Sequence, residues 1–241
     1  MKEIERALRG HNHIVFIDFE ATQFSQEMIA IGATLALLNK DYSIKKLKEP
    51  FKIYIKPRNK VGKFVENLTG ITDAKLIEEG VMFYDAMSAL KKYVGIFYTK
   101  SSFFVYGNGD FNILGATKAY NMNYPKELVN TLQKNMVDFS AIIEKYVKSD
   151  NNTNLSLVNL CKKFNIELHE PAHDPVADAV NLAHLYDAFI RQKDFVAEEY
   201  LKVLHHSSHN APPIAKIIEQ LVNNKEVTPE DFKKYIRKSL D

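Results

Sequence analysis

A run of apolar residues that ends in two carboxylates is the most informative pattern near the start of the chain. Residues 13–17 read His-Ile-Val-Phe-Ile, and their apolar and β-branched side chains predict a buried strand. Asp18 and Glu20 follow at positions i and i+2, so their side chains share one face of that strand. Two like charges at the end of a buried strand are costly unless a cation lies between them. The pair is therefore a candidate metal site; the alternative is an acidic strand end that simply meets water.

Four further strands and several helices follow from the same kind of patterning. The strands are predicted at 28–38, 51–56, 102–106 and 135–139. Helices are predicted within 61–95 and at 110–121, 140–147, 155–164 and 175–191. The apolar face within 61–95 consists of Met82, Ala86, Met87, Leu90 and Val94. Because the first three strands have short connections and the later ones have helical crossovers, we expect an α/β fold with a five-stranded mixed sheet flanked by helices.

The pattern changes beyond Gln192. Helices are predicted there at 193–204, 214–222 and 228–240, with a loop at 205–213. We therefore divide the chain into a first domain over 1–192 and a C-terminal helical extension over 193–241. The predicted loop contains His205, His206 and His209, which could suggest a second metal site. No cysteine or carboxylate lies nearby at ligand spacing, so a solvated loop is the favoured interpretation.

Composition narrows the class of protein. Of the 241 residues, 46% are hydrophobic and 26% are charged, which allows a sizeable core and argues against disorder. The net charge of +2 gives no overall sign of nucleic-acid binding, so any basic surface has to be local. The single cysteine, Cys161, excludes an internal disulfide and is expected to be a buried, inert thiol. Since neither a signal peptide nor a membrane-spanning run is present, we expect a cytoplasmic protein without a membrane partner.

A further carboxylate follows the fourth predicted strand, in the stretch Gly107-Asn108-Gly109-Asp110. Two glycines flank Asn108, so the backbone can turn sharply or let a ligand approach closely. Asp110 lies at the predicted start of a helix, where aspartate is a favoured N-cap. The same strand-to-helix junction faces the edge at which ligands of α/β sheets bind. Asp110 is thus either a helix cap or a further ligand of a metal or substrate.

The stretch from His173 to Asp178 combines a titratable imidazole with a carboxylate. Asp174 and Pro175 are the residue types expected at the N-cap and the first helical position, which leaves His173 on the loop before the helix. Asp178 falls one turn into the helix, where the helix dipole favours a negative charge. This arrangement suits a general base beside a metal ligand.

Together these segments resemble the DEDD-type 3′→5′ exonucleases of the histidine-containing subclass (DEDDh), which includes ribonuclease T and the epsilon subunit of bacterial DNA polymerase. The matching motifs are 16–22 (Phe-Ile-Asp-Phe-Glu-Ala-Thr), 107–110 (Gly-Asn-Gly-Asp) and 173–179 (His-Asp-Pro-Val-Ala-Asp-Ala). The wording of the first motif looks most like the branch that contains histone-mRNA 3′-exonucleases. The resemblance implies a ribonuclease-H-like fold, in agreement with the independent strand pattern.

The resemblance also implies roles for individual residues. Asp18, Glu20 and Asp178 would hold one metal ion, with Asp18 bridging to a second ion that Asp110 supports. His173 would be the general base. Mg²⁺ suits such an oxygen-rich site, and Mn²⁺ is expected to substitute for it. The residues implied in substrate binding are Phe19, Ala21, Thr22, Leu68, Thr69, Asn108 and His173.

The expected activity is the release of nucleoside 5′-monophosphates from the free 3′ end of a single-stranded nucleic acid, with RNA favoured by the branch resemblance. Two other functions stay open. A ribonuclease-H-type endonuclease shares the fold and the two-metal chemistry, although the His-x4-Asp spacing argues against it. A nucleic-acid-binding module with a decayed site is the second alternative, and the presence of all five catalytic positions argues against that.

Overall fold

The computed structural model describes residues 2–169, 171, 173–207 and 212–238. Within this part of the chain the strands are β1 (His13–Ala21), β2 (Met28–Leu38), β3 (Ile44–Leu47), β4 (Phe51–Tyr54), β5 (Ser101–Val105) and β6 (Met136–Asp138). The first helices are α1 (Lys2–Leu8), α2 (Lys63–Thr69), α3 (Asp73–Glu79), α4 (Phe83–Val94), α5 (Gly109–Tyr120) and α6 (Lys126–Asn135). The later helices are α7 (Ser140–Ile143), α8 (Leu157–Lys163), α9 (Pro175–Arg191), α10 (Lys193–Ser207), α11 (Pro212–Val222) and α12 (Pro229–Lys238). A 3₁₀ helix, Gly95–Lys100, leads into β5.

The strands form one mixed sheet in the order β3-β2-β1-β5-β6, and β4 also pairs with β2. β2 is antiparallel to β1, β3 and β4, whereas β5 is parallel to β1 and β6. The predicted meander and the mixed α/β sheet are therefore confirmed. The predicted number of five strands omitted β3, because its sequence, Ile-Lys-Lys-Leu, does not alternate between apolar and polar residues.

The two faces of the central strand β1 meet different partners. Val15, Ile17 and Phe19 point into a core that includes the buried face of α4. Phe16 packs against Tyr186 of α9, with ring centroids 5.4 Å apart, so the opposite face of β1 meets α9. Because side chains alternate along a strand, Asp18 and Glu20 lie on the α9 face. The surroundings of this acidic pair therefore depend on how α9 covers the sheet.

Helix α9 approaches the sheet closely at Gly32 of β2, the residue paired with Asp18. A Cβ atom on Gly32 would lie 2.0 Å from the carbonyl carbon of Pro175 and 2.4 Å from the amide nitrogen of Val176. A glycine is required here because no other residue leaves room for the helix backbone. The start of α9 thus lies over the row of the sheet that carries Asp18.

Some helix details differ from the sequence prediction. The buried face of α4 contains Phe83 in place of Met82, which precedes the helix as its N-cap residue and is 57% exposed. The patterning does not predict α6, because Val129 and Leu132 are its only buried apolar residues. His205 lies in the last turn of α10, so the predicted start of the loop at residue 205 is wrong, while residues 208–211 of that loop lie outside the described residues. Helix α10 extends further because no glycine or proline interrupts the sequence before Ser207.

The prediction of a buried thiol is confirmed. Cys161 on α8 is fully buried and donates a weak hydrogen bond to the backbone oxygen of Asn181, with Sγ 3.7 Å from the oxygen. Burial raises the pKa of the Cys161 thiol to about 12, with the charge of Asp178 acting in the same direction. A thiol of this kind is a poor nucleophile near neutral pH.

By its internal contacts the chain divides into two compact units. One comprises Met1–Ser140 with Leu157–Ile190, and the other comprises Ala141–Ser156 with Arg191–Asp241. The second unit contains the helical C-terminal part that was predicted. A division into domains at residue 192 stays a prediction. Among the described residues, no helix has the length and apolar character needed to cross a membrane.

Candidate active site

The end of β1 presents Asp18 and Glu20 on the face that α9 covers. Asp18 pairs with Gly32 and Glu20 pairs with Ala30, so the neighbouring positions on β2 carry minimal side chains. Residues directly opposite each other in an antiparallel pair share a face of the sheet. The small residues therefore leave room above β2 for the helix start that completes the site.

Asp110 joins the site through a hydrogen bond to β1. β5 pairs with β1 only as far as Phe104, and beyond that point the amide nitrogen of Phe19 donates to Asp110 Oδ1 at 3.0 Å. Helix α5 begins at Gly109, with Asn108 as its N-cap residue. Asp110 lies inside the helix and is 5% exposed, so the alternative that it is the helix cap is wrong.

The start of α9 supplies the remaining groups. Asp174 caps the helix as predicted, since its Oδ1 accepts from the amides of Val176 at 2.9 Å and Ala177 at 3.3 Å. His173, just before the cap, is exposed and has a φ of 62°, in the left-handed region. In this conformation its backbone amide donates to the carboxylate of Asp178. The turn therefore places the imidazole and the Asp178 carboxylate side by side.

All five predicted catalytic residues come together at this point. Glu20, His173 and Asp178 each offer a ligand atom, and these atoms lie within 4.8 Å of one another. Among the described residues no other group of His, Cys, Asp and Glu side chains meets this spacing. Asp18 and Asp110 belong electrostatically to the same site. The charge of Asp110 raises the pKa of both Asp18 and Glu20, and the charges of Glu20 and Asp178 also raise the pKa of Asp18. His205 and His206 belong to no such group, and His209 lies outside the described residues.

The carboxyls of the site are strongly perturbed, mainly by burial. Burial raises the pKa of Glu20 to about 8, with further contributions from the charges of Asp178 and Asp110. Burial also raises the pKa of Asp110 to about 7, against the opposing effect of the Phe19 amide. For Asp18, burial and the charges of four neighbouring carboxylates raise the pKa well above its ordinary value. In the fully ionised state the site would contain several negative charges without a counterion, and a bound cation would relieve that repulsion.

Lys52 of β4 also belongs to the site, although the sequence pattern does not single it out. Its Nζ donates to Asp174 Oδ2, and the two side chains are 29% and 23% exposed. In the strand pattern Lys52 is an ordinary polar position of a half-exposed strand. The strand register, which cannot be read from the sequence, pairs it with Gly32 and so places it near the start of α9.

Two of the predicted substrate-binding residues do not offer their side chains to a ligand. Phe19 is 4% exposed and packs in the core on the face of β1 opposite the carboxylates. Thr22 is 2% exposed, and its Oγ1 accepts from the amide of Glu27 at 2.9 Å. Any contact of Phe19 or Thr22 with a substrate would have to use backbone atoms.

The other predicted substrate-binding residues are more accessible. Leu68 of α2 is 41% exposed and Asn108 is exposed, while Ala21 and Thr69 are partly exposed. The hydroxyl of Thr69 donates to the backbone oxygen of Val65 at 2.8 Å, so it stabilises the end of α2. A substrate role for these residues stays a prediction.

The RNase T family model, described as an exonuclease, matches residues 15–186. No curated protein matches the chain. Among solved structures, the nuclease domain of 3′hExo, a DEDDh family member bound to rAMP, is 19% identical, with a TM-score of 0.61 over 76% of this chain and 94% of that domain.

Three further structures have the same fold. Cell-death related nuclease 4 (CRN-4) is 17% identical, with a TM-score of 0.57 over 76% of this chain and 64% of its own. Escherichia coli exonuclease I, in complex with a dA16 oligonucleotide, is 17% identical, with a TM-score of 0.57 over 80% of this chain and 44% of its own. A 3′-exonuclease in a structure of 3′-end specific recognition of the histone mRNA stem-loop is 19% identical, with a TM-score of 0.57 over 76% of this chain and 83% of its own. At such identities these likenesses show the fold alone.

The family match covers the end of β1, the start of α5 and the start of α9, which are the elements that assemble the site. The predicted relationship to the DEDDh-type exonucleases is therefore confirmed at the level of the family. Because the matched region covers most of the sequence and includes all five converging side chains, the chain belongs to the RNase T exonuclease family.

Proposed function

We propose that the chain is a metal-dependent 3′→5′ exonuclease that hydrolyses single-stranded nucleic acid, RNA in preference to DNA, and releases nucleoside 5′-monophosphates. The observation that supports this most directly is the convergence of Glu20, His173 and Asp178 within 4.8 Å beside Asp18 and Asp110. The DEDDh neighbour bound to rAMP supports a ribonucleotide product, while the exonuclease I complex contains DNA.

The residues present fit divalent cations. The donors are carboxylate oxygens, which Mg²⁺ prefers. Burial, and after it the neighbouring carboxylates, raise the pKa values of Asp18 and Glu20, as expected for an acidic cluster without a counterion. Asp18, Glu20 and Asp178 would hold one ion, and Asp110 would support a second. When bound, such ions neutralise charge on the phosphate, assist the leaving 3′-oxygen and lower the pKa of the attacking water.

The protein's own groups have separate tasks in this proposal. A ring nitrogen of His173 accepts a proton from the water that attacks the terminal phosphodiester. The P–O3′ bond breaks, so the 5′-phosphate stays on the released nucleotide and the shortened strand keeps a 3′-hydroxyl. The amide of Phe19 and the start of α9 hold Asp110 and Asp178 in place during this step.

An exposed aromatic surface beside β1 supports a single-stranded substrate. Phe24, in the loop after β1, is 85% exposed, and Phe64 of α2 is 64% exposed. Gln23 joins the two segments, because its Oε1 accepts from the amide of Phe64 at 3.2 Å and its own amide donates to Val61 O at 2.8 Å. Aromatic side chains stack on unpaired bases of any sequence. We include Phe24 and Phe64 in the proposed path of the substrate strand.

A single time course tests the proposal. Matched RNA and DNA oligonucleotides, single- and double-stranded and labelled at the 5′ end, are incubated with Mg²⁺ or Mn²⁺ and resolved by length. We expect a ladder of labelled strands shortened one nucleotide at a time, and mononucleotides as the released product. Internal fragments at early times would indicate a ribonuclease-H-type endonuclease. A protein that binds RNA but neither cleaves it nor binds Mn²⁺ in calorimetry would be a non-catalytic binding module.

A further inference from the structure

Lys52 occupies a position in the sheet from which it can reach the start of α9. Asp18 pairs with Gly32 on β2, and Gly32 pairs with Lys52 on β4, so the three residues form one row across the sheet. Directly paired residues share a face. Gly32 has no side chain, and nothing in the middle of the row separates the lysine from the helix start above it. Its Nζ donates to Asp174 Oδ2.

Hydrogen bonds connect Asp174 to the residues of the site. Its Oδ1 accepts from two amides of the first turn of α9, and its backbone oxygen accepts from the amide of Asp178 at 2.9 Å. His173 is its neighbour in the chain, and the amide of His173 donates to the Asp178 carboxylate. An ion pair that fixes Asp174 therefore restrains both the imidazole and the carboxylate.

The segment that leads to His173 is also held at its other end. Asn181 of α9 is 2% exposed, and its side chain bonds both backbone groups of His169, with Oδ1 2.9 Å from the amide nitrogen and Nδ2 3.2 Å from the oxygen. Both of these hydrogen bonds join α9 to the segment that directly precedes it in the chain. The Lys52–Asp174 pair is different in kind, because it links that stretch to the sheet that carries Asp18 and Glu20.

We propose that Lys52 is a positioning residue, which holds the start of α9 against the sheet so that His173 and Asp178 face Glu20. The inference rests on the proposed function, and it assigns to Lys52 no contact with the substrate. Side chains that orient metal-binding and catalytic groups without touching the substrate commonly change metal affinity or activity by about 10- to 100-fold when removed.

The sign of the change in metal affinity separates this role from a simple charge effect. Lys52 is a cation near Glu20, and its charge opposes the binding of another cation at the same carboxylates. If charge alone mattered, Lys52→Met would bind Mn²⁺ more tightly, since repulsion is removed and Asp174 is left unpaired. If Lys52 positions the helix start, Lys52→Met binds Mn²⁺ more weakly despite the gain in negative charge.

The experiment compares five variants of the full chain with the wild type: four single substitutions and the double variant that combines Lys52→Met with Asp174→Asn. Lys52→Met removes the charge, and Lys52→Arg keeps it. Asp174→Asn removes the partner's charge but keeps a good helix cap. Lys46→Met is the matched control, because Lys46 is an exposed lysine on β3 of the same sheet. Mn²⁺ affinity is measured by calorimetry, kcat and KM on a labelled RNA oligonucleotide, and folding by thermal unfolding.

We expect Lys52→Met to weaken Mn²⁺ binding and to lower kcat by about 10-fold each, with KM unchanged. Lys52→Arg should stay within about threefold of the wild type, and Lys46→Met should match it. Asp174→Asn should lower Mn²⁺ affinity and kcat by less than about a further twofold in the Lys52→Met background, because the two residues act through one contact.

Tighter or unchanged Mn²⁺ binding with unchanged kcat overturns the proposal. A raised KM with unchanged kcat also overturns it, since Lys52 would then contact the substrate. If the wild type cleaves no oligonucleotide, the proposed function fails, while the Mn²⁺ affinities still decide the role of Lys52.

Discussion

Replacing Gly32 with alanine tests whether the close approach of α9 to the sheet builds the site. The substitution adds one methyl group in the row that carries Asp18. That methyl carbon would lie 2.0 Å from the carbonyl carbon of Pro175 and 2.1 Å from its oxygen. Ordinary contact for a Cβ begins at 3.4 Å, so the start of α9 has to move by about 1.4 Å. The atoms concerned are backbone atoms, and no side-chain rotation can relieve the contact.

A displacement of this size should affect activity more than stability. Overpacking of a core position costs about 1–3 kcal/mol, which many folded proteins tolerate. A shift of about 1 Å in the position of catalytic groups can lower the rate by about 100-fold. His173 and Asp178 both lie on the segment that has to move. We therefore expect Gly32→Ala to fold, to unfold at a lower temperature, and to lose about 100-fold or more in kcat.

The assay is the release of mononucleotides from an end-labelled RNA oligonucleotide, with thermal unfolding measured on the same samples. Gly115→Ala is the matched control, because a Cβ at Gly115 of α5 meets no atom within 4 Å. In that exposed helix position alanine should stabilise the protein by about 1 kcal/mol and leave kcat unchanged. The reasoning is refuted if Gly32→Ala keeps both the turnover and the unfolding temperature of the wild type.

Three further predictions concern the acidic cluster and the imidazole. His173→Ala should reduce turnover by about 100-fold or more while the affinity for a labelled oligonucleotide is retained; wild-type turnover would remove His173 from the mechanism. Asp18→Asn should abolish cleavage in Mg²⁺ and in Mn²⁺, and residual cleavage at the wild-type rate would place the active site elsewhere. Without metal, burial raises the pKa of Glu20 in the folded protein to about 8, against 4.5 ordinarily. The contribution of this group to the stability of the fold is therefore fully present below pH 4.5 and is lost as the pH rises through 8. In EDTA the unfolding temperature should therefore fall between pH 5 and pH 8, and Glu20→Gln should fall less; equal slopes for the two proteins would contradict the assignment.

Much of the site could be predicted because its residues carry local signals. Asp18 and Glu20 follow a buried strand, and the cap at Asp174 sets the position of His173 and Asp178 relative to α9. These features depend on neighbours within a few residues, which is the range over which strand alternation and helix capping act. Helix α9 itself begins at Pro175 and ends at Arg191, as the sequence pattern predicts.

The parts that could not be predicted depend on contacts between distant segments. Lys52 is a routine polar residue of β4 until strand pairing brings it opposite Gly32. From the sequence, Asp110 has the properties of a helix cap. In the structure the pairing of β5 with β1 ends at Phe104, and the Asp110 carboxylate accepts a hydrogen bond from the Phe19 amide. In both cases the deciding quantity is a register or a strand length, which is set by tertiary pairing. The burial of the Phe19 side chain, by contrast, follows from strand alternation and could have been predicted from the sequence.

The alternation along β1 also constrains how this site could change in evolution. A single inserted residue between Phe16 and Asp18 would turn both carboxylates into the hydrophobic core and bring Phe19 to the α9 face. Such a change would bury two charges and remove the site in one step, with no functional intermediate. Insertions or deletions of two residues would keep the faces but move the carboxylates by about 7 Å along the strand, away from the Gly32 row. The part of β1 that precedes Asp18 should therefore tolerate substitutions far better than insertions or deletions.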